Sequence, residues 1–197
     1  MKITIIGAGG NIGQRITKEA SLRNHELQLL TSKDKSFFGL DDVTINKADI
    51  FEVDALVELI KESDVVISAY APPNENTDLI INASESLVEA AKKAKVRLIS
   101  VGGAGSLKVS DDMILVDSPT FPKDYKAIAI SHQKALENVY LKESELNWTN
   151  VSPSAYIFEG ERTNKFRIGE DYLLSNEKGE SSISMEDFAA GILDEVE

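Results

Sequence analysis

Apolar residues in this chain alternate between two periods, short continuous runs and positions three or four apart. The run Ile3-Thr4-Ile5-Ile6 reads as a buried strand, and Ile12, Ile16, Ala20 and Leu22 after it share one face of a helix. Glu26–Thr31 and Val43–Asn46 read as second and third strands, followed by a short helix over Asp54–Lys61. Asp64–Ala69 is a fourth, buried strand, and the pair Pro72-Pro73 ends it. Residues 76–94, apolar at 79, 80, 83, 87, 90, 91 and 94, predict a long helix before a fifth strand, Val96–Val101. A helix over 124–143 then leads to the strand Trp148–Ser152. Strands alternating with helices predict the α/β class, with a parallel sheet covered on both faces.

Two stretches interrupt the alternation. Residues 106–123, with Met113–Pro119 and Pro122, are too long for a plain connection and read as a lid or pocket wall. Residues 153–183 are rich in Gly, Arg and Lys, with short alternating runs at Lys165–Ile168 and Tyr172–Leu174, and predict a small hairpin appended beyond the sheet. Ser184-Met-Glu-Asp187 has capping-box spacing, the serine capping and Asp187 reaching back, and opens a terminal helix to Val196. The expectation is one domain over 1–197, with 106–123 and 153–183 forming the substrate side of a pocket.

Composition narrows the classes. With 33 acidic against 21 basic residues the net charge is −12, which argues against nucleic acid as a partner. An anionic ligand would need a locally positive field, because the global one opposes it. There is no cysteine and there are only two histidines, so no metal site is expected. No apolar run has the length of a bilayer span, and Met1 leads straight into the first strand, so a cytoplasmic protein without membrane contact is expected.

The segment Gly7-Ala8-Gly9-Gly10-Asn11-Ile12-Gly13 lies between the first strand and the first helix, the order that presents backbone N–H groups to a phosphate. Gly7 serves the sharp turn, Gly9 or Gly10 the approach of a pyrophosphate, and Gly13 close packing of helix on strand. Ligands of open parallel sheets lie beyond the carboxyl ends of the strands. That rule adds Ser32 and Lys33, Asp49 and Ile50, Ser68-Ala69-Tyr70, Gly102 and Gly103, and Pro153 to Gly7, Gly9, Gly10, Asn11 and Ile12 as the cofactor groove. After the second strand stand Thr31, Ser32, Lys33, Asp34 and Lys35, where hydroxyls and lysines favour NADP(H) over NAD(H).

Several segments carry a family resemblance: Lys2–Gly13, Glu19-Ala20, Asn24-His-Glu26, Val66–Tyr70, Gly102–Leu107, Asn147-Trp-Thr149, Ser152-Pro153, Gly160-Glu-Arg-Thr163 and Ser182-Ile-Ser184. Together they resemble the atypical short-chain dehydrogenase/reductase branch of NmrA-like, NAD(P)H-binding proteins, of the NADH-flavin reductase type similar to biliverdin reductase B. The resemblance runs nearly end to end. It implies a Rossmann-like, doubly wound parallel sheet, a bound nicotinamide dinucleotide and a flavin-reducing activity. The chain departs from the family pattern at Gly9, usually Thr, at Ser32, commonly Arg, and at Asn164, usually Gly. The loss of arginine at 32 leaves Lys33 or Lys35 to hold a 2′-phosphate, and Asn164 suits the same left-handed turn.

The Tyr-x-x-x-Lys pair of ordinary short-chain dehydrogenases is missing. Tyr125 and Lys134 are nine residues apart, not the four that make neighbours on a helix. Tyr125, His132 and Lys134 are the weak catalytic candidates. His132 reads first as a solvated helix histidine and second as a proton donor. Without a positioned acid, the site suits a flavin, quinone or similar aromatic acceptor, which delocalises the incoming charge, with flavin as substrate rather than resident group. Arg162 and Phe166 are the expected acceptor contacts, although Arg162 also reads as a structural ion pair. The expected protein is a monomer or weak homodimer that transfers hydride to a small aromatic acceptor. The alternative is a dinucleotide-sensing regulator without turnover, and an epimerase is the weaker third.

Overall fold

The computed structural model of the chain describes residues 1–32 and 43–197. In chain order they form β1 (Lys2–Ile6), α1 (Asn11–Leu22), β2 (Glu26–Thr31), β3 (Val43–Lys47), α2 (Val53–Ile60), β4 (Val65–Ser68), α3 (Leu79–Ala94), β5 (Arg97–Val101), β6 (Lys108–Ser110), β7 (Met113–Ile114), α4 (Lys123–Asn138), β8 (Trp148–Val151), β9 (Tyr156–Phe158), β10 (Ser182–Ser184) and α5 (Met185–Val196). Six of the strands make one parallel sheet in the order β3-β2-β1-β4-β5-β8. The order reverses between β1 and β4, the switch point at which such Rossmann-like sheets open a crevice.

The two-residue period of each strand sorts its side chains between two cores. Ile3, Ile5, Leu29, Val65, Ile67 and Ile99 face α1 and α5, while Ile6, Leu30, Val66 and Leu98 face α2, α3 and Tyr140. Thr4, wholly buried, shares a hydrogen bond of 2.7 Å with Ser63. Covering both faces is what permits strands this apolar.

Several elements depart from the sequence expectation. The helix expected over 124–143 stops at Asn138, and Tyr140–Lys142 form a separate 3₁₀ turn. Burial explains the break, because Tyr140 turns inward, donates to Ser100 Oγ at 3.0 Å and packs its ring 5.5 Å from that of Trp148. The appendage is two-stranded, but β9 and β10 pair in parallel, so the connection between them cannot be a tight turn. The runs 165–168 and 172–174 form no strand and contribute a single bridge from Tyr172 to Lys108. Asn164 has φ 57°, the left-handed backbone that asparagine tolerates.

Residues 106–123 hold the antiparallel pair β6 and β7 and the buried Val116. They are tied to the appendage by Lys108 N–H to Asp171 C=O, Leu173 N–H to Lys108 C=O, and Tyr172 OH to Asp111. Half of the expected capping box forms: Ser184 Oγ accepts from Asp187 N–H at 3.0 Å. The Asp187 carboxylate turns the other way and accepts from the Thr163 and Asn164 N–H groups and the Thr163 hydroxyl. That exchange anchors the appendage to α5. No helix among the described residues is long and apolar enough to cross a membrane.

Candidate functional site

The turn after β1 is shaped by contacts a side chain would destroy. Gly7 has φ 75°, and a Cβ there would lie 2.6 Å from the Ala69 carbonyl oxygen, so β1 and the chain leaving β4 meet at the crevice. A Cβ on Gly13 would overlap the Gly7 carbonyl oxygen, which seats α1 against the turn. Gly10 differs from both. It is exposed, has φ −80° and ψ 171°, and a Cβ there would meet only Gly7 C=O at 3.4 Å. Space outside the protein, rather than packing inside it, is what this glycine leaves free.

The N-terminus of α1 presents its positive partial charge without a side-chain cap. Gly10 occupies the N-cap, no side chain caps the helix, and its first turn carries no acid. The opening N–H groups of a helix have no intrahelical acceptor and carry the positive end of its dipole. In a chain of net charge −12 this is the local positive field that an anion needs.

Around the crevice the structure gathers most of the predicted groove at the carboxyl edge of the sheet. Ser68 is buried and its hydroxyl accepts from Tyr70 N–H at 3.4 Å. Tyr70 meets Phe51 edge to face, ring centroids 6.2 Å apart, and burial first, then the Asp49 charge, raises its phenol pKa. Asp49 caps its own turn by accepting from Phe51 N–H, while the Ile50 side chain belongs to the core. Gly102 is buried where a Cβ would overlap the Asn150 side-chain oxygen. Gly103 C=O accepts from the Ser106 and Ser152 hydroxyls, each at 3.2 Å, and so joins the ends of β5 and β8 just before Pro153. Ser32 is exposed at the end of β2. Lys33 and Lys35 lie outside the described residues.

The catalytic candidates separate. Tyr125 and Lys134 are exposed on α4, whereas His132 is half-buried against Gly103. The expected solvated histidine is thus corrected: burial lowers its imidazole pKa to about 4, so the ring is neutral.

Of the expected acceptor contacts, Arg162 is directed to α1 instead, while Phe166 lines a cavity of about 550 Å³ with Leu174, Ser182 and Ser154, the residue after Pro153. Arg162 makes a two-pronged pair with Glu19 on α1, Nε to Oε2 at 2.6 Å and Nη2 to Oε1 at 2.7 Å, and Phe166 lies against Gly191 of α5. Glu19 is 3% exposed and also accepts from Arg23 at 2.8 Å. The Arg162 hydrogen bonds outweigh desolvation and hold the Glu19 carboxyl below its ordinary pKa. Such a depressed pKa adds stability above the ordinary carboxylate range, and the gain is lost as pH falls through the lowered value. Arg162→Leu is therefore expected to lower the urea midpoint at pH 7, by an amount that shrinks under acid, with NADPH affinity kept. Equal midpoints at pH 7 would remove the pair's structural role.

Asn150, Phe51 and the trio Thr77, Asp78 and Ser131 were not foreseen. Ser131 Oγ reaches Asp78 at 2.7 Å and Thr77 at 3.0 Å, and so pins α4 to the start of α3. No periodicity marks these residues, since each works by meeting a distant segment.

With this geometry in view, comparison with known proteins is decisive. The profile of the NAD(P)H-binding family matches residues 7–197. The chain belongs to the NAD(P)H-binding family. It is 39% identical to the uncharacterized protein YwnB of Bacillus subtilis (strain 168), covering 100% of this chain and 92% of that one. A solved Bacteroides thetaiotaomicron protein, named provisionally as an epimerase, is 34% identical with a TM-score of 0.92, covering 99% of this chain and 90% of that one. SP1627 of Streptococcus pneumoniae TIGR4, named provisionally as an NADH-flavin reductase, is 30% identical with a TM-score of 0.91, covering 100% and 92%. Membership in the family, of NmrA-like, atypical short-chain dehydrogenase/reductase type, makes this an NAD(P)H-binding protein of oxidoreductase fold.

Proposed function

We propose that this protein is an NAD(P)H-dependent reductase that passes hydride to a flavin, quinone or similar planar acceptor. The observation that carries the reading is the make-up of the carboxyl edge: an uncapped helix N-terminus after β1, Gly102 and Gly103 after β5 and Pro153 after β8, with Tyr125 and Lys134 exposed on α4 and nine residues apart. When bound, the dinucleotide supplies the hydride. The Gly10–Gly13 turn would hold its pyrophosphate, and Ser68–Tyr70 with Gly102 and Gly103 would support its nicotinamide half. These residues bind, orient and leave room. Reduction of a ketone would ask more of them, since an isolated alkoxide needs a positioned acid, while a conjugated ring spreads the charge.

We further propose NADP(H) as the preferred dinucleotide, flavin as a substrate, and a monomer or weak homodimer as the working form. The test is to mix the purified protein with NADPH or NADH and FMN or a benzoquinone, and to follow loss of reduced-nicotinamide absorbance. Tight NADPH binding without oxidation would favour the sensing role instead. In the same assay Ser32→Asp should weaken NADPH roughly tenfold more than NADH, because its carboxylate would face the 2′-phosphate. Equal losses for both would show that position 32 does not meet the phosphate.

A further inference from the structure

His132 is the one imidazole that the structure brings to the carboxyl edge of the sheet. A Cβ on Gly103 would lie 3.1 Å from His132 Cβ and 3.2 Å from Cγ, so the histidine side chain occupies the space that a side chain at 103 would take. Gly103 has φ −126° and ψ 142°, extended backbone open to any residue. The glycine is thus required by room for the imidazole and not by its own conformation. Ser131, beside it on α4, donates to Asp78 at 2.7 Å and meets the Thr77 hydroxyl at 3.0 Å, which fixes the helix turn that carries the ring. Among the described residues neither ring nitrogen has a hydrogen-bond partner, and the half-buried ring leaves both within reach of solvent. The other histidine, His25, contrasts with it: its Nε2 pairs with Glu197 at 3.0 Å.

A half-buried imidazole with an unused N–H, packed against Gly103 at the carboxyl end of β5, has a defined chemical use. We propose that His132 is a catalytic residue: its imidazole N–H donates a hydrogen bond to the acceptor oxygen or nitrogen on which negative charge collects during reduction. This deepens the reductase reading and rests on it. For a quinone, the dihydronicotinamide loses two electrons with its hydride, the quinone gains them, and a proton from water completes the hydroquinone. The imidazole donates a hydrogen bond and keeps its proton. A preorganised N–H aimed at that atom is worth more in a partly water-excluded site than in bulk water.

The test uses a variant pair and a spectroscopic readout. His132→Leu keeps the bulk and removes the donor; His132→Gln restores an N–H. With the acceptor identified in the assay above, the leucine variant should lose roughly tenfold or more in kcat with little change in KM or NADPH affinity, and the glutamine variant should recover most of the loss. Matching urea midpoints separate this from a folding defect. Independently of turnover, the chain holds only two histidines, so ¹H–¹⁵N correlation of the imidazoles, assigned with His25→Gln, reports on each. Adding FMN or the benzoquinone to protein saturated with NADP⁺ should shift the His132 nitrogens and leave those of His25 in place. An unmoved His132 signal at saturating acceptor, or a leucine variant with wild-type kcat, overturns the inference while leaving the reductase reading intact. A wild type that oxidises NADPH with neither acceptor class overturns the reading itself, and the inference with it.

Discussion

Gly10→Val is expected to give a folded protein that has lost roughly 100-fold or more of its affinity for NADPH. The residue sits in extended backbone, is exposed, and has only one atom near its missing Cβ, so the chain accepts valine without moving. The cap preference that separates glycine from valine is about 1 kcal/mol. What the branched side chain does is cover the opening N–H groups of α1, where the pyrophosphate must come within hydrogen-bond distance. Hydrogen bonds to a charged group contribute about 1.5–3 kcal/mol each, and every 1.4 kcal/mol is about tenfold in affinity, so losing one or two accounts for the expected change. Calorimetric titration with NADPH, alongside a thermal melt of the apoprotein, reads both quantities. An unchanged dissociation constant would place the dinucleotide elsewhere.

Gly13→Ala, three residues on, is expected to do the opposite: to destabilise the fold. Alanine is a better helix former than glycine by about 1 kcal/mol, and on propensity alone the change would stabilise α1. Here propensity loses. The new Cβ would overlap the Gly7 carbonyl oxygen and press on the Ala8 backbone at 2.9 Å, atoms belonging to β1 and its turn. Backbone cannot yield as a side-chain tip can, so α1 must lift from the sheet and open its packing with α5. Overpacking of this kind costs about 1–3 kcal/mol and occasionally more, and the upper end is expected where both sides are main chain. The apoprotein melt should fall by several degrees, about 2–4 °C per kcal/mol for a chain of this size. A melt equal to or above that of the wild type would mean that helix and turn are less tightly seated than this geometry.

Much of this architecture is written in local pattern. The short apolar runs at Ile3–Ile6, Asp64–Ala69 and Val96–Val101 read as strands buried on both sides, and they are. The three-and-four spacing of 79–94 could only be a helix lying on them. The Gly7–Gly13 turn was legible for the same reason, because each glycine answers a constraint set by the strand before it and the helix after it. Residues that act through segments far along the chain were not legible. Arg162 has the composition of a ligand contact, yet it is spent on Glu19, 143 positions away. The Asp187 carboxylate, spaced to cap its own helix, is drawn instead to Thr163 and Asn164 by three hydrogen bonds. His132 looked like a solvated helix residue until Gly103, on a different element, left a space for its ring. Sequence by itself determined the period of each element and so the sheet, its two cores and the glycine turn after β1, since these follow from the burial of neighbours in the chain. Only the tertiary structure decided which polar side chains remain available for chemistry. A side chain's charge state and its unused hydrogen bonds depend on what folding brings against it, and that is set by contacts between segments that local pattern does not encode.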